Sequence, residues 1–381
     1  MIMKHNIKMA AAAACAMFAA GCADNSDGGV ELIPASRFEA VVDSVPVSLY
    51  TLRSGDLTMQ VTNFGGRVVA LWTPDRDGRM ADVVLGYDNL AEYIDNPGER
   101  FLGAVVGPVA NRIADARFSL DGVEYTLTAN DNGQTLHGGY RGLDMMAWRV
   151  DEAADDHIVM TCAAADGQGG FPGNRIIRMT YTLTPDNEFR IDYSAWTDVK
   201  TVINLSHHSF FNLRGEGGGS ICDHLLTIPA SHITPVDGRL IPTGELMPVE
   251  GTPFDFRTPT AIGARIDSDN EQLRIGGGYD MNWCIDRADD GEVRKVAELY
   301  DPESGRVMEV LSDQIGLQFY SGNFFDSSTR GKSGRALAWR ESVVLETQRY
   351  PDAPNHADFP SIELLPGDCY RQTCIYKFST K

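Results

Sequence analysis

Short stretches in which apolar and polar residues alternate recur along the chain, and this pattern constrains the fold more than any other feature. Residues 179–184 and 189–193 alternate around a turn at 185–188, which predicts a β-hairpin. Further strand patterns occur at residues 67–72, 317–320 and 342–347. No stretch keeps the 3.6-residue period of an amphipathic helix over several turns. Together with 38 glycines and 18 prolines that can end so many short strands, this predicts an all-β fold, a large antiparallel β-sandwich.

The composition does not change between about residue 35 and the C-terminus, and no repeat of fixed period divides it. We therefore expect one domain over residues 37–381. The formal net charge is −20, and removal of Lys4 and Lys8 with an N-terminal signal would leave −22. A chain of this charge repels phosphate backbones and anionic lipid headgroups, which argues against nucleic acid as a partner.

The first 21 residues resemble a bacterial lipoprotein signal. Lys4 and Lys8 are followed by an alanine-rich run at residues 9–20 that is too short to span a bilayer. Small residues then stand directly before Cys22, which would carry the lipid after cleavage. The alternative is an ordinary secretory signal with an incidental cysteine. Residues 22–36 begin with a polar, glycine-containing run, so we expect a flexible tether. The protein would be exported and attached to the bacterial envelope, at its periplasmic face or the cell surface, through this lipid only.

Five cysteines follow the predicted lipidation site: Cys162, Cys222, Cys284, Cys369 and Cys374. Their number is odd, their spacing is irregular and none forms a Cys-x-x-Cys pair, so neither a disulfide framework nor a zinc site is indicated. We expect free thiols, although an oxidising compartment would permit one bridge.

His137 and the pair His207 and His208 stand out among the histidines. His137 precedes two glycines, which let a backbone approach a ligand closely. His207 and His208 lie in an extended run, where neighbouring side chains point to opposite faces, so only one of them can face a given cavity. For each histidine the alternative is a buried structural role.

Two carboxylates are selected by their position. Glu346 is flanked by apolar residues on a strand that should be buried, where an unpaired carboxylate is costly and its pKa should be shifted. Asp280 follows three glycines that predict a flexible loop beside open space, with a simple turn residue as the alternative. The sequence contains none of the common metal, phosphate, dinucleotide or nucleophile-elbow motifs. Acid–base chemistry by histidine and carboxylate remains, without a catalytic metal.

The chain resembles the aldose 1-epimerase, or galactose mutarotase, family from about residue 45 to residue 378. The resemblance is carried by short motifs in a fixed order: NFGG at 63–66, NRI at 111–113, LHGG at 136–139, GFPGN at 170–174, NLSHHSFFNL at 204–213, TPVD at 234–237, IPTG at 241–244, GTPFDF at 251–256, GYDMN at 278–282, GLQFYSGN at 316–323, LETQ at 345–348 and YPDAPN at 350–355. Each motif alone is weakly specific. Their order and spacing over the full length are what identify the family.

The resemblance implies a large β-sandwich with a sugar cleft on one sheet, and it implies roles for individual residues. Glu346 matches the general base and His208 the general acid, while His137 matches a histidine that hydrogen-bonds the sugar near its ring oxygen. Positions that hold sugar hydroxyls are matched by Asn111, Arg112, Asp280 and Gln318. The implied substrate is a free aldose, and the chemistry needs no cofactor. A structural Ca²⁺ ion is compatible with the many carboxylates, but no loop has the sequence pattern of a calcium-binding site.

The chain departs from the family pattern at four positions: Pro108 replaces a common arginine, His207 an asparagine, Met281 a histidine, and Arg349 a histidine or asparagine. None of these removes a proposed catalytic group, but Met281 lies beside Asp280 and leaves the preferred sugar open. Two other functions are considered, a non-catalytic sugar-binding lipoprotein and a glycoside hydrolase. The second would need two carboxylates across a glycosidic bond, whereas one carboxylate and one histidine are well placed. We expect a monomer.

Overall fold

The computed structural model describes residues 29–95 and 98–381. The predicted signal peptide, residues 1–21, and the lipidation site Cys22 lie outside these ranges, as does the first part of the predicted tether, residues 22–28. Near the start of the described chain, the backbone of Ile33 exchanges two hydrogen bonds with the Gln60 side chain. No helix in the described part of the chain is long and apolar enough to cross a membrane.

Strands dominate the described chain. In order they are β1 (Ala40–Val42), β2 (Val45–Val47), β3 (Leu49–Ser54), β4 (Leu57–Thr62), β5 (Arg67–Pro74), β6 (Met80–Asp82), β7 (Ala104–Val106), β8 (Arg112–Ile113), β9 (Arg117–Leu120), β10 (Val123–Thr126), β11 (Thr135–Leu136), β12 (Arg149–Ala153), β13 (His157–Ala164) and β14 (Arg175–Leu183). They continue as β15 (Glu188–Thr197), β16 (Thr201–Val202), β17 (Ser206–His208), β18 (Leu225–Thr227), β19 (Ala230–Thr234), β20 (Met247–Pro248), β21 (Thr260–Ala261), β22 (Asp280–Ile285), β23 (Arg294–Tyr300), β24 (Arg306–Ser312), β25 (Gly316–Tyr320), β26 (Val344–Gln348), β27 (Glu363–Leu364) and β28 (Tyr370–Thr380).

Helices are few and short within residues 29–95 and 98–381. The two α-helices there, α1 (Leu90–Asp95) and α2 (Glu271–Gly276), have six residues each. Single turns of 3-10 helix join strands at Ala35–Arg37, Ala114–Ala116, Leu143–Met145, Gln168–Gly170, Ile221–Asp223, Ile262–Ala264 and Ala353–Asn355. This agrees with the lack of a sustained helical period in the sequence.

The largest sheet has nine strands in the order β12-β13-β14-β15-β28-β24-β23-β18-β21, all paired antiparallel. The predicted hairpin is β14 and β15, in which Leu183 pairs with Phe189 across the turn. Buried residues alternate with more exposed ones along both strands. One face of this sheet therefore forms the core and the other faces solvent, as expected for a half-buried antiparallel sheet.

Two smaller sheets cover the buried face of the large one. A four-stranded sheet has the order β3-β4-β5-β6 and a five-stranded sheet the order β20-β19-β22-β25-β26. Side chains from all three sheets share one apolar core, for example Met59, Met179 and Trp283. The Tyr376 hydroxyl of β28 donates to the Leu345 carbonyl of β26 at 3.0 Å and so links the large sheet to the five-stranded one. The predicted all-β sandwich is confirmed.

The five-stranded sheet is unusual because its central strands are buried on both faces. Every residue of β22, β25 and β26 is buried. One face carries apolar side chains that pack in the apolar core. Examples are Met281, Phe319 and Leu345, which are neighbours across the three strands. The alternate positions carry polar side chains. Since such side chains are buried only where they have partners or a function, this second face marks the candidate site.

Candidate active site

The polar face of the five-stranded sheet brings side chains from three strands into one row. Asn282 of β22 pairs with Gln318 of β25, and Gln318 pairs with Glu346 of β26. Asp280 lies two positions before Asn282 on the same face, and its Oδ1 accepts a hydrogen bond from Gln318 Nε2 at 2.7 Å. Asp280 is the first residue of strand β22 and not a turn residue; of the predicted glycine loop before it, Gly276 ends helix α2. The register of the sheet therefore fixes the spacing of these groups.

His208, on strand β17, lies beside this polar face. This strand pairs with β7 and is tied to β26 by a hydrogen bond of 3.1 Å from Ser206 Oγ to the Thr347 carbonyl. His208 Nε2 consequently lies 3.6 Å from Glu346 Oε1. Both side chains are buried, with relative exposures of 7% for His208 and 2% for Glu346.

His207 points the other way, as strand alternation predicted. Its ring Nδ1 lies 3.2 Å from the Tyr181 hydroxyl and its Nε2 lies 2.6 Å from Ser209 Oγ. The rings of Phe189 and Tyr376 pack around it. His207 is a buried structural histidine, and the chemistry falls to His208.

His137 is held by two hydrogen bonds to the backbone of Asn111. The His137 N–H donates to the Asn111 carbonyl at 3.0 Å, and the Asn111 N–H donates to His137 Nδ1 at 3.1 Å. Both residues have positive φ, 63° for Asn111 and 51° for His137, a conformation that is sterically unfavourable for residues other than glycine. The two hydrogen bonds help to hold the backbone in this conformation. A backbone N–H can only donate, so Nδ1 must be unprotonated. In the neutral ring the proton then sits on Nε2, and His137 offers a donor to the cavity.

Arg112 is anchored through one of its nitrogens. Its Nε donates to Asp131 Oδ2 at 2.8 Å, and the side chain is largely buried. The backbone N–H of Arg112 donates to Asn111 Oδ1 at 2.9 Å, which orients that amide. The Arg112 terminal nitrogens and the Asn111 amide group are therefore set to hold a polar ligand.

These groups surround a cavity of about 520 Å³. Of the seven residues that the sequence nominated, six line it: Asn111, Arg112, His137, His208, Asp280 and Glu346. Gln318 lines a narrow extension that shares Asn111, Arg112 and Asp280 with the main cavity. The structure thus brings all the nominated residues to one place.

Burial shifts the ionisation of the central pair in opposite directions. Burial first, and then the charges of Asp280 and Glu99, raise the pKa of Glu346 well above its ordinary value of 4.5, while Arg112 opposes this. Burial lowers the pKa of His208 to about 3. Burial, followed by the neighbouring His208 and Arg112, lowers the pKa of His137 well below its ordinary value. Burial therefore favours uncharged imidazoles and places the shared proton of the Glu346–His208 pair on Glu346.

The same side chains come close enough to suggest a metal. Ligand atoms of His137, His208 and Glu346 all lie within 4.8 Å of one another. A histidine that binds a metal normally donates its other ring N–H to an acceptor. His137 instead accepts from the Asn111 N–H, so its cavity-facing nitrogen carries a proton and has no lone pair for a cation. As held here, the trio is suited to proton transfer and hydrogen bonding.

Several residues of the site were missed from the sequence. Phe101 packs its ring against His137 at 4.6 Å and His208 at 5.7 Å between centroids. Tyr320 and Phe324 line the cavity and stack on each other. Tyr320 lies two positions after Gln318 on β25, so strand alternation could have identified it. The sequence carries no comparable signal for Phe101, nor for Glu99, which also lines the cavity.

Two departures from the family pattern acquire a structural meaning. The Met281 side chain packs in the apolar core and Met281 does not line the main cavity, although the residue borders the narrow extension beside Asp280. Pro108 follows a cis peptide bond from Gly107. The structure gives no account of the change at Arg349, which hydrogen-bonds Asn204 through its backbone N–H.

A second cavity, of about 530 Å³, lies elsewhere and has a different character. At its edge Lys332 forms ion pairs of 3.1 Å with Asp82 and 3.0 Å with Glu216. These charges satisfy one another, so this cavity presents no reactive group comparable to Glu346. The five cysteines after Cys22 are free thiols, as the sequence predicted, and Cys162, Cys284 and Cys374 are buried.

Comparison with known proteins identifies the family. The family profile described as aldose 1-epimerase matches residues 48–377. The galactose mutarotase of Rattus norvegicus is 40% identical over 333 residues, covering 87% of this chain and 94% of that protein. The aldose 1-epimerase of Escherichia coli K12 is 33% identical over 339 residues, with coverages of 88% and 96%. An aldose epimerase homologue from C. elegans has a TM-score of 0.80 at 28% identity, over 88% of this chain and 99% of that one. The chain therefore belongs to the aldose 1-epimerase family.

Proposed function

We propose that the protein is an aldose 1-epimerase, an isomerase that interconverts the α and β anomers of free aldohexoses such as glucose and galactose. The observation that carries this proposal is the buried pair His208 and Glu346, 3.6 Å apart in the wall of a cavity lined by hydrogen-bonding groups. Its relatives of 33–40% identity are named galactose mutarotase and aldose 1-epimerase. Family membership and the geometry of the pair support the same activity.

The reaction is a ring opening followed by a ring closure. Glu346 takes the proton from the C1 hydroxyl while His208 gives a proton to the ring oxygen, and the bond between C1 and that oxygen breaks to leave an aldehyde. Rotation about the C1–C2 bond exposes the other face of the aldehyde, and the same two transfers in reverse close the ring as the other anomer. Each positioned proton transfer contributes about 10²–10⁴-fold.

The ionisation of the pair fits this cycle. Glu346 and His208 share one proton in the resting site, and its movement from Glu346 to His208 gives the carboxylate and imidazolium that the ring opening uses. Arg112 favours the carboxylate form of Glu346. The N–H that His137 directs at the cavity can stabilise the negative charge that develops on a sugar oxygen. The reaction exchanges no electrons and the anomers differ little in energy, so these residues suffice without a cofactor.

The remaining polar groups hold the sugar. Arg112 and the Asn111 amide can donate to hydroxyl oxygens, and Asp280, oriented by Gln318, can accept from a hydroxyl. All of these side chains come from one chain, so a monomer contains a complete site. A glycoside hydrolase has less support, because the group 3.6 Å from Glu346 is the histidine His208, and the relatives of 33–40% identity are named galactose mutarotase and aldose 1-epimerase.

We also propose that the enzyme works outside the cytoplasm, tethered by a lipid on Cys22, and prepares free sugars for uptake. The basic and apolar residues before Cys22 support this. Replacing Cys22 with serine should move the protein from the membrane fraction to the soluble exported fraction. Retention of the Cys22→Ser protein in the membrane would contradict a lipid tether.

The activity is tested by polarimetry of freshly dissolved α-D-glucose and α-D-galactose. The wild-type protein should speed the approach to the equilibrium rotation, and Glu346→Gln and His208→Asn should each lose that acceleration while keeping the circular dichroism of the wild type. If the folded wild type accelerates no aldose, a sugar-binding protein on the same fold becomes the better account.

A further inference from the structure

Glu99 is a cavity residue that no motif identified. It follows helix α1 and lines the cavity together with Tyr320 and Glu346. Its Oε1 accepts a hydrogen bond of 2.9 Å from the Phe101 N–H, and its carbonyl accepts one from the Tyr87 hydroxyl. The carboxylate is therefore fixed by its own backbone turn at the cavity wall. It is close enough to Glu346 for its charge to raise the pKa of that group.

Glu99 gives the cavity an excess of negative groups. The acidic residues in the lining are Glu99, Asp131, Asp280 and Glu346, whereas the basic ones are Arg112 and Arg239. Arg112 is paired with Asp131 at 2.8 Å. Arg239 is paired with Asp115 at 2.9 Å and with Asp237 at 3.1 Å, neither of which lines the cavity.

No salt bridge joins Glu99, Asp280 or Glu346 to an arginine of this lining, although the charge of Arg112 acts on Asp280 and Glu346 from nearby. Glu346 is only 2% exposed and its Oε2 has no hydrogen-bond partner. Arg67 and Arg100, whose charges act on Glu99, are themselves engaged with Asp144. Burial disfavours the ionised forms of these carboxyl groups. A ligand with a positive charge would stabilise those carboxylate forms, whereas a neutral sugar would not.

We propose that this cavity prefers cationic aldoses, namely 2-amino-2-deoxyhexoses in their ammonium form, and that Glu99 determines this preference. The inference rests on the proposed epimerase function. The ring position follows from chemistry: Glu346 must face the C1 hydroxyl to act as the base, and vicinal substituents on a pyranose lie within hydrogen-bonding distance of each other. An ammonium group at C2 is therefore the substituent that carboxylates around the C1 position reach.

The proposal also bears on the reaction. A positive charge beside Glu346 favours the carboxylate over the carboxylic acid. The substrate itself would then help to place the pair in the form that opens the ring. An anionic sugar such as a uronic acid has the opposite effect and should be a poor substrate.

The test compares kcat/KM for mutarotation of α-D-glucosamine, α-D-glucose and α-D-glucuronate, at a pH where the amino sugar is charged. For the wild type we expect glucosamine to exceed glucose, and glucose to exceed glucuronate. In Glu99→Gln the ratio of glucosamine to glucose should fall by about tenfold, since a charge-assisted contact is replaced by a neutral one. Glutamine keeps an oxygen that can accept from the Phe101 N–H, so the turn should survive.

The matched control is Glu124→Gln, the same chemical change at an exposed position on β10. It alters the net charge equally and should leave the glucosamine-to-glucose ratio at the wild-type value. An equal fall in both variants, or no fall in Glu99→Gln, would overturn the role of Glu99. A wild type that accelerates glucose but not glucosamine refutes the substrate preference while the epimerase function stands, and this result needs no variant. A wild type that accelerates neither sugar refutes the proposed function itself.

Discussion

Replacing Glu346 with glutamine should abolish catalysis and at the same time stabilise the folded protein. Glu346 is buried, its Oε2 has no partner, and its pKa is raised well above 4.5 by burial. Glutamine has nearly the same shape but cannot accept the proton of the C1 hydroxyl. Activity should therefore fall by about 10²–10⁴-fold, the usual contribution of a general base.

The stability change has a definite pH dependence. A carboxyl whose pKa is higher in the folded state than in the unfolded chain holds its proton better when folded, so its contribution to stability is lost as pH rises above the unfolded value. The loss is about 1.4 kcal/mol for each pH unit until the raised pKa is reached. Glu346→Gln removes this titration. Its advantage over the wild type should be absent near pH 4.5, grow by that amount per unit above it, and then level off.

Urea unfolding of both proteins at several pH values measures this difference. Titrating groups that do not interact with Glu346 are common to the two proteins, so their contributions cancel in the comparison. Glu124→Gln, an exposed counterpart, should show no pH-dependent change. The reasoning is refuted if the wild type is the more stable protein at neutral pH, or if the difference does not vary with pH.

Three further outcomes are expected. The plateau of kcat/KM should extend well below pH 6.5, because burial lowers the pKa of His208 to about 3, and kcat/KM should decline as pH rises through the raised pKa of Glu346. Between these two values the pair keeps its single proton. A loss of kcat/KM on the acid side near pH 6.5 would contradict this. His207→Asn should keep mutarotase activity but lose about 1–3 kcal/mol of unfolding free energy, because asparagine cannot reach both Tyr181 and Ser209. Loss of activity in a folded variant would contradict a purely structural role of His207. Lys332→Met should lose about 3–5 kcal/mol in urea unfolding, because Asp82 and Glu216 would be left as buried charges without their cation; an unchanged midpoint would show that the ion pairs add nothing.

Much of the fold could be predicted because strand alternation is a local property. The β14–β15 hairpin and the opposite directions of His207 and His208 both follow from a period of two residues. Glu346 was identifiable because a carboxylate among apolar strand residues is an energetic exception. These inferences need only neighbours in sequence.

What could not be predicted depends on contacts between distant segments. The tautomer of His137 is set by the Asn111 N–H, 26 residues away in the chain. The partner of Arg112 is Asp131, one of many surface-type aspartates in the sequence, and only the folded loop selects it. Glu99 and Phe101 lie at the cavity, and no periodic signal in the sequence marks the segment that contains them. The family resemblance supplied roles only for residues that match its motifs, and Asp131, Glu99 and Phe101 lie outside those motifs.

The row formed by Asn282, Gln318 and Glu346 has a consequence for how the protein can be monitored. If β25 or β26 slipped by one residue, the apolar side chains of Phe319 or Leu345 would enter the cavity and the polar ones would turn into the core. A molecule in such a state would retain most of its strand content and yet have no epimerase site. Activity per mole of folded protein thus counts the molecules whose sheet is correctly aligned. It can report on refolding errors that circular dichroism does not detect.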